Sequence, residues 1–307
     1  MERISYKGWT NCYRLSNGIV DLIVTGDVGP RIIRFGFING EPARPGNEFR
    51  EYPDQVGKIG GQEWRIYGGH RLWHSPEDKV RTYFPDNFPV RVEETPLGLR
   101  VIQDAETTTG IEKQMEISLS PAEPHVEVLH RLRNRGQWPV ELAAWCLTVM
   151  NKSGMAIVPQ STRAHPDLLL PNRILVLWPY TDMTDPRVRW GEKYITLRQD
   201  PGAKTKFKLG ISANDEWAAY ARGGNLFVKR FRYKNGATYP DWGCSVEVFA
   251  DWDMLELETV GPLVKLEPGQ ALEHSEAWFL FKGVQVEDTD DSIDKAVKLK
   301  ALSVALP

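Results

Sequence analysis

Two histidines, His70 and His74, stand four residues apart in YGGHRLWHSPE (67–77), together with Arg71, Trp73 and Glu77. Imidazole is a metal ligand and an acid–base group that works near neutral pH, and this spacing puts both rings on one side of a strand. A zinc site needs three or four protein ligands. The other histidines, His125, His130, His165 and His274, form no second cluster in the sequence, so no metal is expected. Two readings then remain. In one, Gly68-Gly69 makes a tight turn while Leu72 and Trp73 plug the end of a sheet. In the other the segment is a carbohydrate corner, where Arg71, His74 and Glu77 bind hydroxyls and Trp73 stacks.

A second group of reactive side chains lies in DMLELETVGPLVKLEPGQALEHSEAWFLF (253–281). Glu256 and Glu258 share one face of a strand, and a return strand carries His274 and Glu276. A carboxylate on a strand is a rigidly held base. Further candidates are Trp145, Lys208 and Lys229 on strands, and Tyr239 and Trp242 on a loop able to close over a ligand. There is no G-x-S-x-G, no phosphate-cradling glycine loop and no dinucleotide fingerprint; GKIGG (57–61) is not followed by a helix.

Period-two alternation identifies the elements that must position these groups. In IEKQMEISLS, Ile111, Met115, Ile117 and Leu119 face one way and Glu112, Gln114, Glu116 and Ser118 the other. Similar runs fall at 18–26, 98–104, 125–134, 140–149, 173–180, 224–233, 245–259 and 273–281, separated by Gly, Pro and Asn turns. The pattern predicts an all-β chain of antiparallel sheets packed face to face, as one domain over 1–307. Residues 38–96 read as loop excursions at one end. DDSIDKAVKLKALSVAL predicts a short C-terminal helix, with Ile293, Val297 and Ala301 in one stripe and acidic residues at its start.

Composition narrows the partners. A net charge of −3 over 307 residues gives no drive towards phosphate backbones, and KRFRYK (229–234) reads as an alternating strand, so nucleic acid is not expected. Cys12, Cys146 and Cys244 are odd in number and widely spaced, which fits reduced thiols rather than a disulfide framework. No run of apolar residues is long enough for a membrane helix, and MERISYKGWTNCYRL lacks the apolar core of a secretion signal. The expectation is a cytoplasmic protein without a membrane partner.

The segment LETVGPLVKLEPGQALEHSEAWFLF, with its Glu before a Gly-Pro loop and an L-x-P-G turn, resembles the C-terminal end of galactose mutarotase-like sandwiches of the aldose 1-epimerase superfamily. YGGHRLWHSPE is similar to the segment GGHRLW...PE of uncharacterised mutarotase-like proteins, and LRNRGQWPVELAAWCLTVMNKSG to the family's stretch after an N-x-G turn. The resemblance implies a large antiparallel β-sandwich with a sugar-sized groove, acting without a cofactor on a free sugar or sugar derivative. It implies Glu258 as the base that takes the anomeric hydroxyl proton and His70 as the acid that protonates the ring oxygen. Arg71, His74, Glu77, Trp145, Lys229, Tyr239 and Trp242 then contact the ligand. The chain departs from the family where an NHxYFNL-like motif usually supplies a histidine: here AAWCLTVMNKSG has Trp145 and Asn151 instead. A non-catalytic carbohydrate-binding protein of the same fold is the alternative.

Overall fold

The computed structural model describes residues 1–38, 46–52, 56–59, 61–161 and 169–307, and His165 lies outside them. Alternation of apolar and polar residues produces two large antiparallel sheets whose inner faces share a core. In one sheet the strands run in the order Glu2–Tyr6, Trp9–Ser16, Val20–Thr25, Arg31–Phe37, His70–Ser75, Val140–Met150, Leu255–Val260, Val246–Ala250, Phe207–Ile211 and Leu175–Leu177, with Val264–Leu266 also paired to Val140–Met150. The facing sheet runs Val188–Trp190, Tyr194–Arg198, Met155–Pro159, Trp217–Arg222, Asn225–Phe231, Ala271–Lys282, His125–Asn134, Ile111–Leu119, Gly98–Gln103 and Arg91–Thr95. A small hairpin, Val56–Ile59 with Gln62–Arg65, stands apart from both. No helix among the described residues is long and apolar enough to cross a membrane.

Leu22, Phe35, Leu72, Cys146, Leu209 and Leu257 come from the first sheet and meet Val101, Met115, Ile117, Phe227 and Trp278 of the second. At the centre, Phe35, Phe49, Phe227 and Trp278 form a cluster with ring centroids 5.5–6.3 Å apart, each pair adding about 0.5–1.5 kcal/mol beyond area burial. All three cysteines are buried and unpaired.

Three expectations change. The run 245–259 is two strands, because Asp251 accepts hydrogen bonds from the backbone of Asp253 (2.8 Å) and Met254 (2.9 Å) and turns the chain into a hairpin. Within 38–96, His70–Ser75 is no loop but a central strand, paired on one side with Val140–Met150 and on the other with Arg31–Phe37. Its unbroken burial leaves no alternation to recognise in composition. The predicted helix forms over Asp290–Ser303 but passes through a π-helical stretch, Asp294–Lys298, while Ile293, Val297 and Ala301 pack on the second sheet.

The glycine pair before that strand has a geometric cause. Tyr67, Gly68 and Gly69 take φ of 54°, 79° and 68°, and a Cβ at Gly69 would stand 2.2 Å from the Ile32 carbonyl oxygen. Gly69→Ala is expected to lower stability by at least about 1–3 kcal/mol, read as a shifted urea midpoint with an unchanged slope.

Candidate functional site

Strand alternation sends consecutive residues of 70–75 to opposite faces of the first sheet, and this divides the candidates. Arg71 and Trp73 face outward, whereas His70, Leu72 and His74 face the interior.

On the outer face, Leu147 pairs with Arg71 on one side and Glu258 on the other, so Arg71 and Glu258 stand two strands apart, about 10 Å between backbones. Trp145 pairs with Trp73, and their rings meet edge-on at 5.5 Å. Arg71 stacks its guanidinium 4.4 Å above Trp73 and forms an ion pair with Glu256 at 2.8 Å. Lys208 sits 4.7 Å from the ring centroid of Trp145 and 4.6 Å from that of Trp178, between Glu247 (2.7 Å) and Glu258 (3.3 Å). Trp64 from the small hairpin, Tyr83 from the loop after 76, and Trp178 and Tyr180 beyond Leu175–Leu177 wall the space. The result is a cleft of about 260 Å³ lined by seven aromatic side chains together with Arg71, Glu77, Lys206, Lys208 and Glu256.

Its electrostatics follow from burial and charge order. Burial works against the charge on Lys208, yet the carboxylates of Glu247 and Glu258 outweigh it and hold the ammonium well above the usual lysine range. Burial pushes Glu247 well above the carboxylate range and Glu258 adds to the rise, while Lys208 opposes it. Glu256 is also raised, by burial first, with Arg71 opposing and Glu258 reinforcing. Arg71 is buried, and neither its Nε nor its Nη1 has a hydrogen-bond partner among the described residues.

The expected residues separate accordingly. Arg71, Glu77 and Trp145 line the cleft, with Glu77 accepting a hydrogen bond from Tyr83. Glu258 is beneath it, since Trp145 Nε1 donates to its Oε2 at 2.7 Å and covers it; Glu256, on the same strand face, takes the cleft surface. His74 turns inward to Glu106 at 3.3 Å. Tyr239 is buried, stacked on Tyr233 at 5.0 Å, and its hydroxyl accepts from the Lys234 backbone. Trp242 is 88% exposed on a turn and does not line the cleft. Trp64, Tyr83, Trp178 and Tyr180 are not among the sequence candidates because loops and the small hairpin bring them in; the only signal in the sequence is the abundance of Trp, 11 in all.

His70 corrects a stronger expectation. It points away from Glu258 into the interior, and its Nε2 lies 2.7 Å from Nε2 of His130. His130 Nδ1 lies 2.9 Å from the His274 carbonyl oxygen, which only accepts, so His130 donates there and receives the His70 proton at Nε2. His70 Nδ1 then accepts from Thr148, whose oxygen accepts from Lys229 (2.8 Å each). Lys229 therefore also belongs to the interior, paired with Glu276 at 3.1 Å, and Glu276 accepts from Trp278 and Thr259. The scattered histidines do form a cluster after all, across the two sheets. Ligand atoms of His70, His130 and Glu276 come within 4.8 Å of one another, as do those of Cys146, His274 and Glu276, but hydrogen bonds and the Lys229 charge already engage the first set.

Burial is the main cause that lowers the pKa of His70, His130 and His274, the last to about 4. Each unfolded histidine takes up a proton near pH 6.5 while the folded one does not, so protons favour the unfolded state. This stability is full above pH 6.5 and is lost as pH falls towards 4. Urea unfolding between pH 7.5 and 4.5 is expected to lose about 1.4 kcal/mol per pH unit for each histidine that charges only on unfolding.

No family model matches the sequence, and no curated protein does. Solved structures share the fold. A protein of Escherichia coli K12 assigned as an aldose 1-epimerase aligns with a TM-score of 0.53 and 14% identity over 89% of this chain and 99% of its own. A Salmonella typhimurium protein assigned as a mutarotase aligns at 0.50 and 10% identity, over 92% and 97%. A TPR-domain containing protein of Parabacteroides distasonis reaches 0.61 and 14% identity over 96% of this chain, which spans only about half (49%) of that protein. The chain thus has the galactose mutarotase-like sandwich fold, carried by backbone geometry rather than by sequence identity.

Proposed function

We propose that the outer-face cleft binds a single sugar ring or a close sugar derivative. One observation carries this: two guanidinium nitrogens of Arg71, Nε and Nη1, have no hydrogen-bond partner among the described residues, and they lie beside the Glu256 carboxyl group and over the Trp73 indole, which meets Trp145 edge-on. A ligand that satisfies both must accept and donate from neighbouring atoms while offering an apolar face, which is the chemistry of a pyranose. The cleft volume, about 260 Å³, is below the ~300–1,000 Å³ of pockets for drug-sized ligands and suits one ring.

Acid–base turnover is the second reading, favoured by the position of Glu256. A carboxyl group at the cleft surface with a raised pKa is, once ionised, a stronger base than an ordinary carboxylate. Glu256 would take the anomeric hydroxyl proton as the bond from the anomeric carbon to the ring oxygen breaks, and the Lys208 ammonium would stabilise the charge developing on that oxygen. The ring recloses on the other face and the proton returns. With His70 in the interior, no neutral imidazole supports this step, and the binding reading stands ahead of it.

Titration with aldoses, followed by tryptophan fluorescence, tests the first reading, and proton NMR of freshly dissolved α-anomers tests the second. Saturable quenching without faster anomer exchange is the expected result. Exchange accelerated by the protein and abolished in Glu256→Gln establishes turnover, and no quenching by any aldose overturns both.

A further inference from the structure

A second cavity, of about 210 Å³, lies away from the cleft and is lined by Gly29, Phe84, Asp86, Phe88, Gln103 and Thr107 among others. Gln103 ends the strand Gly98–Gln103 and continues the interior-facing register of Leu99 and Val101, which places its side chain where the space between the two sheets opens. It is only 8% exposed, and neither its Nε2 nor its Oε1 has a hydrogen-bond partner among the described residues. Buried amides are almost always paired, so an amide with both arms free, on the wall of a cavity, requires an explanation. The other walls are fixed. Asp86 is held by Arg31 at 2.6 Å, and its carbonyl oxygen accepts from the Gly29 backbone at 3.2 Å. Phe84 is half-buried, and Phe88 leaves an aromatic surface 58% exposed.

We propose that this pocket is a second binding site, for a small uncharged planar molecule with a hydrogen-bond donor and acceptor side by side. A primary carboxamide and the amino-nitrogen edge of a purine share this chemistry. A side-chain amide pairs with such an edge through both arms at once, as Gln does with adenine, and the phenyl groups supply stacking surface for the flat body. The pocket shares no lining residue with the sugar cleft.

The test uses 15N-labelled full-length protein, in which the Gln103 side-chain amide signals are identified by their loss in Gln103→Leu. Nicotinamide, adenine and glucose are titrated separately to millimolar concentration. The expected result is a saturable movement of the Gln103 amide signals with nicotinamide or adenine and none with glucose; the arm that saturates identifies the carboxamide or the base as the source. In Gln103→Leu the backbone signals of Asp104 and Ala105 should stop responding. Phe88→Ala, at an exposed position, should fold normally and bind about tenfold more weakly. Gln103 signals unmoved by both planar probes overturn the proposal, as does movement with glucose or an affinity unchanged in Phe88→Ala.

Discussion

Replacing Lys229 with methionine is expected to destabilise the fold by about 3–5 kcal/mol, the largest effect of any single substitution considered. Lys229 and Glu276 are both fully buried between the sheets, and the ammonium is the one cation within ion-pair distance of that carboxylate among the described residues, apart from a His70 held neutral. Methionine keeps the length and removes the charge, leaving a carboxylate in a low-dielectric interior. Trp278 and Thr259 still donate to it, but hydrogen bonds from neutral groups do not replace the lost charge. The loss would appear in urea unfolding at pH 7.5. Adding Glu276→Gln to Lys229→Met should recover part of it, because the pair is then removed together; a double variant no better than the single one would show that packing rather than charge caused the loss.

Arg71→Met should weaken sugar binding strongly with little change in fold. The guanidinium is the cleft's buried donor with free N–H groups, and hydrogen bonds to a charged group contribute about 1.5–3 kcal/mol each, so losing it weakens binding by about 10-fold to more than 100-fold. Glu256 loses its ion-pair partner in the same step. Its pKa, already raised, rises further once the opposing Arg71 charge is gone, which favours the neutral carboxyl and limits the stability cost. Fluorescence titration of wild type and variant with the same aldose measures the ratio, and an unchanged dissociation constant would remove Arg71 from the site.

Both predictions depend on which face of a strand a residue occupies. Alternation along one strand is a local property, so Glu256 and Glu258 were assignable to a common face from spacing alone, and the pairing of Leu147 with Arg71 and Glu258 agrees with it. His70 and Arg71 differ by one position and therefore by a whole face. A segment as short and uniformly buried as HRLWHS has no polar side to show which face meets solvent. The resemblance to epimerases supplied a histidine role, and the pleat assigned that histidine to the interior.

By itself the sequence determined part of the strand segments, the all-β sandwich class, the stripe of the C-terminal helix and the chemical character of the cleft. These depend on period, turn residues and side-chain type, all carried by neighbours along the chain. Tertiary structure decided the rest: that Trp64, Tyr83, Trp178 and Tyr180 converge on Arg71, and that Lys229 and three histidines meet across the two sheets. It also placed Glu258 beneath Trp145 and left Glu256 at the cleft surface. Those contacts join residues far apart in the chain, and they exist only once strand register and the stacking of the two sheets bring them within a few ångströms.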